Sequence, residues 1–233
     1  ISGTIPKRKD RYRLYLSIAR PDSLFITDLQ EKFQTAGIEV KNSNLGQLPE
    51  TTWFHYPSDY LGDIVHSLNV RSDNLYAESV LRLLSLSDHE KGSAEKGIDI
   101  IRKYWQNYEA DSLELFMYDG SGLARNNKVS AKYLNCVLKE TARDSLIGEY
   151  FVQTLPLAGK EGSVATFMKH GELPGELRLK SGSMSDVHAY AGYYTTPQNR
   201  YAIVVMINNY TCTRAQLKQK ISTLLTQVLS KKE

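Results

Sequence analysis

Three short stretches of this chain hold residues that could act on an acyl group. Ser72-Asp73-Asn74 opens an amphipathic run, and Lys180-Ser181-Gly182-Ser183 closes an alternating one. Between them lies Tyr118-Asp119-Gly120-Ser121-Gly122-Leu123-Ala124-Arg125. Each has a plain structural reading. Ser, Asp and Asn are preferred helix N-caps, Ser and Gly after a basic residue make a turn, and Asp-Gly and Ser-Gly are turn dipeptides. The chemical reading of Lys180 to Ser183 is a cationic strand edge. There an ammonium stands beside two hydroxyls, and Gly182 lets a substrate backbone approach closely.

Taken in order the stretches are more specific than singly. A serine acyl-transferase of the penicillin-recognising kind uses S-x-x-K, then S-D-N at a helix, then K-T-G on a strand. The second and third occur here in that order, and Ser181 keeps the hydroxyl of the threonine it replaces. The one S-x-x-K, Ser93-Ala94-Glu95-Lys96, follows S-D-N in a charged, glycine-flanked loop. A catalytic Ser/Lys pair needs a buried lysine of lowered pKa, so Ser93 reads as the N-cap of a helix.

The elements that must position these residues follow from periodicity. Arg11 to Ile18 alternates like a strand, Pro21 breaks it, and Ser23 can cap a helix with Phe25, Leu29 and Phe33 on one face, ending at Gly37. Residues 41–58 read as loop. Helices are predicted over Tyr60–Asn69, Asn74–Leu84 and a run marked by Ile98, Ile101, Trp105 and Tyr108, with a charged loop at 85–94. A strand is expected over Leu113–Met117 and a helix over Ala131–Leu138. Leu177–Lys180, His188–Thr195 and Tyr201–Asn208 read as three strands, the last so apolar that it is expected at the centre of a sheet. A final helix should turn Leu217, Ile221, Leu224, Leu225 and Val228 inward.

Composition narrows the class. A chain of 233 residues with 41% hydrophobic and 24% charged residues suits a globular protein with a sizeable core. A net charge of +3 with dispersed Lys and Arg offers no nucleic-acid stripe. Cys136 and Cys212 have no metal spacing, nor do the five histidines, so neither a metal nor a cofactor is expected. The cysteines read as two free thiols, with one disulfide as the alternative. No stretch is long and apolar enough to span a membrane as a helix.

The chain resembles the peptidase S13 family, class C low-molecular-mass penicillin-binding proteins that act as D-Ala-D-Ala carboxypeptidases and endopeptidases. The matching text is RSDNLYAE (71–78), DGSGLAR (119–125), TLPLAGKEG (154–162) and RLKSGSMSDVHAYAGY (178–193), with the early ARPDSLF and AGIEV stretches. The resemblance implies an α/β fold of the β-lactamase/penicillin-binding transpeptidase type, an antiparallel sheet with helices on both sides. Residues 1–233 would be the carboxy-terminal part of that domain, incomplete at the amino-terminal end, with residues 1–20 open to being the tail of an inserted domain. The nucleophilic Ser and its Lys are expected upstream of Ile1, which would leave residues 1–233 inactive alone.

By the same resemblance Ser72, Asn74 and Lys180 are catalytic. Ser72 relays the proton to the leaving amine, Asn74 holds the substrate backbone and the upstream lysine, and Lys180 attracts the terminal carboxylate. Ser181, Gly182 and Ser183 bind substrate, with the Ser183 N–H as half of an oxyanion hole. Leu123, Arg125 and Met184 could line a pocket for the stem-peptide side chain; a solvated turn is the equal alternative for Arg125. Asp73 reads as a helix cap, and Glu78 as a structural pairing within the helices. Expected partners are a peptidoglycan stem peptide, β-lactams as inhibitors and the amino-terminal half of the same protein. Self-association through exposed apolar surface is expected too, and the setting is the periplasm or cell envelope. The alternative is a non-catalytic module that binds peptidoglycan peptides or β-lactams. A β-lactamase or esterase on the same scaffold fits the DGSGL and LPLAG stretches less well.

Overall fold

The computed structural model describes residues 18–40, 55–87, 91–108, 114–168 and 173–231. The chain divides into two units, Ile1–Tyr56 and Pro57–Glu233. In the first, helix α1 spans Pro21–Thr35 and buries no residue. Its start corrects the expected Ser23 cap. Proline fixes the φ that a first helical turn needs and lacks the N–H that such a turn leaves unpaired, so the helix begins at Pro21 behind Arg20. The expected strand over Arg11–Ile18, save Ile18, and most of the 41–58 loop lie outside the described residues.

In the second unit α2 (Leu61–Arg71), α3 (Asn74–Leu83) and α4 (Ala94–Trp105) follow in sequence. A short hairpin of β1 (Leu115–Phe116) and β2 (Lys128–Val129) precedes α5 (Ala131–Arg143) and α6 (Gly148–Thr154). Three nine-residue strands then form one antiparallel sheet: β3 (Glu176–Met184), β4 (Val187–Thr195) and β5 (Arg200–Asn208). Helix α7 (Arg214–Leu229) closes the chain behind a Thr213/Gln216 capping box.

The order β3-β4-β5 puts β4 in the middle. The expectation that Tyr201–Asn208 is central is therefore corrected: among the described residues β5 is an edge. Its apolar run has another cause. Strand residues alternate between faces, and both faces of β5 meet helices. Tyr201, Ile203, Val205 and Ile207 pack on the side of α7 with Leu217, Ile221, Leu225, Tyr190 and Tyr194. Ala202 and Val204 pack on the other side with Leu138 of α5, Val152 of α6 and Tyr193. Helices on both sides of an antiparallel sheet agree with the expected fold class.

On α7 the buried stripe is Leu217, Ile221, Leu225 and Leu229, each one helical turn from the next. Leu224 and Val228, expected inward, are 52% and 48% exposed. Tyr108 falls just past the end of α4, in a turn.

Candidate active site

The same alternation assigns the faces of β3. Leu177 and Leu179 are buried in the α7 layer, so Arg178 and Lys180 emerge on the opposite face, where α2 packs against α6. Two contacts fix the last turn of α2 there. Buried Asn69 donates its Nδ2 to Thr154 Oγ1 at 3.0 Å. Gly162, at φ +51°, lies so close that a Cβ on it would stand 2.2 Å from the Val70 carbonyl oxygen.

Helix α2 ends on Ser72, which adopts a left-handed conformation at φ 55° and ψ 51°. Such a conformation is costly for a residue with a Cβ and recurs at functional sites. Asp73 then caps α3, its carboxylate accepting the N–H groups of Leu75 and Tyr76 at 2.9 and 3.1 Å. Ser72 thus stands at the corner between two helices, and Asn74 is exposed on the first turn of α3.

Across that corner Lys180 Nζ donates to Ser72 Oγ at 2.8 Å, joining residues 108 apart in sequence. It also donates to the carbonyl oxygen of Ser181 at 2.9 Å. Burial lowers the Lys180 pKa below its ordinary 10.5. The fold thus holds an ammonium of increased acidity against a serine hydroxyl.

The edge of β3 is covered over part of its length. Ala158 N–H donates to the Leu177 carbonyl at 2.8 Å, and Leu179 N–H donates to the Pro156 carbonyl at 3.0 Å. Arg178 Nη1 anchors that covering segment through the Leu155 carbonyl at 3.0 Å. Glu161 anchors it from the other end, accepting the Leu157 N–H at 2.8 Å. The segment then turns away through 158–160. Residues two apart on a strand point their backbone groups to the same side. Ser181 and Ser183 therefore turn their N–H and C=O toward the edge that Leu177 and Leu179 share with 156–158. Beside them Gly182 has nothing among the described residues within 4 Å of where a Cβ would be.

Among the predicted residues, Ser72 and Lys180 meet directly, and Ser181, Gly182 and Ser183 follow on the same strand edge. Met184 ends β3, opposite Val187 at the hairpin. Leu123 and Arg125 are exposed on a separate loop between β1 and β2. The expected N-cap role of Ser93 is seen: its Oγ accepts the Lys96 N–H at 3.2 Å, and Lys96 is exposed. Sequence reasoning missed Ser163, whose Oγ lies 2.7 Å from Ser181 Oγ. Its place directly after the TLPLAGKEG stretch was the available signal.

A family model described as the D-Ala-D-Ala carboxypeptidase 3 (S13) family matches residues 1–231. The D-alanyl-D-alanine carboxypeptidase DacB of Haemophilus influenzae is 24% identical over 234 residues, covering 97% of this chain and 48% of that protein. A D-alanyl-D-alanine carboxypeptidase of an Actinomadura species is 24% identical, covering 90% of this chain and 41% of that protein. The crystal structure of penicillin binding protein 4 (dacB) from Haemophilus influenzae, complexed with a novel beta-lactam, superposes with a TM-score of 0.72 at 22% identity. It covers 92% of this chain and 52% of that one. The chain spans about half the length of the curated relatives it matches.

Proposed function

The chain belongs to the D-Ala-D-Ala carboxypeptidase 3 (S13) family, and we propose that its Pro57–Glu233 unit is the strand-edge half of a serine acyl-transfer site for peptidoglycan stem peptides ending in D-Ala-D-Ala. The observation that carries this reading is the 2.8 Å contact between Lys180 Nζ and Ser72 Oγ. It joins the S-D-N corner to the K-S-G strand in the arrangement that acyl transfer to serine needs.

In this reading the nucleophile is the serine of an S-x-x-K segment outside residues 1–233. Its oxygen attacks the carbonyl carbon between the two D-alanines and forms an ester as the C–N bond breaks. The serine proton passes through the Ser72 hydroxyl to the leaving amine, and water then hydrolyses the ester. Lys180 holds the terminal carboxylate by a charge-assisted hydrogen bond, with the hydroxyls of Ser181 and Ser183 beside it.

The substrate backbone lies along the open edge at 180–183 as an added strand, close over Gly182. The Ser183 N–H gives one half of the oxyanion hole, and Asn74 holds the peptide and the upstream lysine. Leu123, Arg125 and Met184 face the stem-peptide side chain. β-Lactams acylate the same serine, and the enzyme works as a carboxypeptidase or endopeptidase in the cell envelope, periplasmic where there is an outer membrane. The apolar edge strand β5 and exposed side chains such as Leu75 and Leu146, 72% and 89% exposed, take up the amino-terminal half of the protein, or a second copy when that half is missing.

The test compares hydrolysis of a D-Ala-D-Ala peptide with its C-terminal amide in the full-length protein. The wild type should prefer the free carboxylate by roughly 100-fold, the size of a charge-assisted hydrogen bond. Lys180→Met should lose that preference. Equal hydrolysis of both peptides by the wild type would contradict the proposal.

A further inference from the structure

The loop that carries Leu123 and Arg125 is built unlike an ordinary surface turn. A single carboxylate oxygen, Glu78 Oε1, accepts the N–H groups of Gly120 and Ser121, each at 3.1 Å, and the Ser121 hydroxyl at 2.8 Å. Glu78 belongs to α3 and stands four residues after Asn74. It therefore shares a helix face with the residue at the catalytic corner. The loop lies directly on that helix, since a Cβ on Gly120 would stand 2.6 Å from the Ala77 carbonyl oxygen.

The loop is also closed on itself. Asp119 accepts the N–H of Gly122 at 2.9 Å and of Ala124 at 2.6 Å, and the Asn127 amide at 2.6 Å. Asn127 returns its oxygen to the Tyr118 N–H at 2.8 Å. Burial would raise the Asp119 pKa, but the bonds from Asn127, Ala124, Gly122 and Ser121 outweigh it and hold the carboxyl below its ordinary 3.8. The loop is thus tied to itself by hydrogen bonds, packs on α3 through Gly120, and among the described residues is hydrogen-bonded to α3 through Glu78.

We propose that Glu78 is a positioning residue: it clamps the 118–127 loop to α3 and so sets where Leu123 and Arg125 stand relative to Ser72 and Asn74. A hydrogen-bond acceptor buried inside the helices would serve stability alone. Glu78 instead spends its carboxylate on backbone N–H groups of the loop, which fixes the loop and not the helix. The part of the inference that concerns substrate rests on the proposed function, whereas the clamp itself does not.

Two readouts in the full-length protein separate them. The first is trypsin cleavage after Arg125, which the clamped loop should resist. Glu78→Ala should speed that cut on the order of 10-fold, the loss expected when charge-assisted bonds to a loop are removed. Glu78→Gln, which keeps an acceptor oxygen, should restore most of the resistance. Ser121→Ala removes one of the three bonds without removing the carboxylate and should give an intermediate rate, so the test survives if Glu78→Ala does not fold. Unchanged resistance in these variants would overturn the clamp.

The second readout is the split between KM and kcat on a stem peptide with a diamino-acid third residue. Glu78→Ala should raise KM on the order of 10-fold and leave kcat within about twofold, as loss of uniform binding does, with rescue by Glu78→Gln. A freed loop with unchanged KM would remove Leu123 and Arg125 from the substrate site and overturn the positioning role, while the clamp would stand. A fall in kcat and thermal midpoint together, with KM unchanged, would assign Glu78 a general structural role instead.

Discussion

The two edges of the three-stranded sheet are opposites. The β3 edge is polar where it is open: Lys180, Ser181, Gly182 and Ser183 follow a stretch already covered by residues 156–158. The β5 edge is apolar from Tyr201 to Ile207, half-buried along that whole run, and has no strand beside it among the described residues. An exposed edge strand invites pairing with another chain, and proteins blunt such edges with charge or cover. A polar edge carrying an ammonium and hydroxyls suits a transient peptide. An apolar edge with helices on both faces suits permanent cover. On the proposed reading, chemistry sits at one side of the sheet and assembly at the other.

The sharpest way to break this contrast is to place a charge on each edge in turn. Val204→Asp puts a carboxylate against Leu138 and Val152. It should cost about 3 kcal/mol or more in stability, the effect of an unpaired charge in a packed layer. Chemical denaturation measures it. A charge of either sign near Ser183 should leave the denaturation midpoint almost unmoved. Equal losses at both edges would remove the distinction.

Ser72 sharpens the comparison from the chemical side. Its left-handed backbone is one that glycine adopts without penalty. Ser72→Gly should relieve about 1 kcal/mol of backbone strain and give up the Lys180–Ser72 hydrogen bond, which contributes about as much, while lowering peptide hydrolysis because the proposed relay hydroxyl is gone. Thermal melts should therefore stay nearly unmoved while turnover falls. A loss of stability well beyond about 1 kcal/mol would mean that the corner is not strained.

The smallest expected effect is a pH dependence in the α7 layer. His188 is buried on β4, edge-on to Tyr190, and both of its ring nitrogens lack partners among the described residues. Burial, and then the charges of Lys218 and Arg214 on α7, lower its pKa below 6.5. Above that value both folded and unfolded states hold a neutral ring. As pH falls below it the unfolded chain takes up the proton first, so stability drops until the folded ring also protonates. Denaturation midpoints between pH 7 and pH 5 should fall, and His188→Gln should flatten that slope. A midpoint that rises toward acid pH would contradict this account.

How much of this was legible in sequence depended on range. Ser93, Asp73 and the strand that carries Lys180 were readable because caps and alternation are local, but its expected end at Lys180 is corrected, since pairing with β4 carries β3 on to Met184. Leu217, Ile221 and Leu225 were readable too, but not the exposure of Leu224 and Val228, because the width of a buried stripe depends on what packs against it. The apolar β5 resembled a central strand because burial by helices on both faces leaves the same pattern as burial between strands. Helix α6 was missed: its seven residues, GEYFVQT, mix β-branched, aromatic and polar types and carry no clear period. Ser163 could not be paired with Ser181 from spacing, since a short turn at 162–164 brings them together. Glu78 was expected to pair within the helices. It reaches out of them to a loop 42 residues away.

On the proposed reading residues 57–233 supply the receiving edge of the site, and a segment outside residues 1–233 supplies its nucleophile. Intact mass after incubation with benzylpenicillin tests it most directly. Residues 1–233 alone should gain no covalent mass, whereas the protein that also carries an upstream S-x-x-K should gain one penicilloyl group. A stable adduct on residues 1–233, at Ser93 or any other serine, would contradict the account.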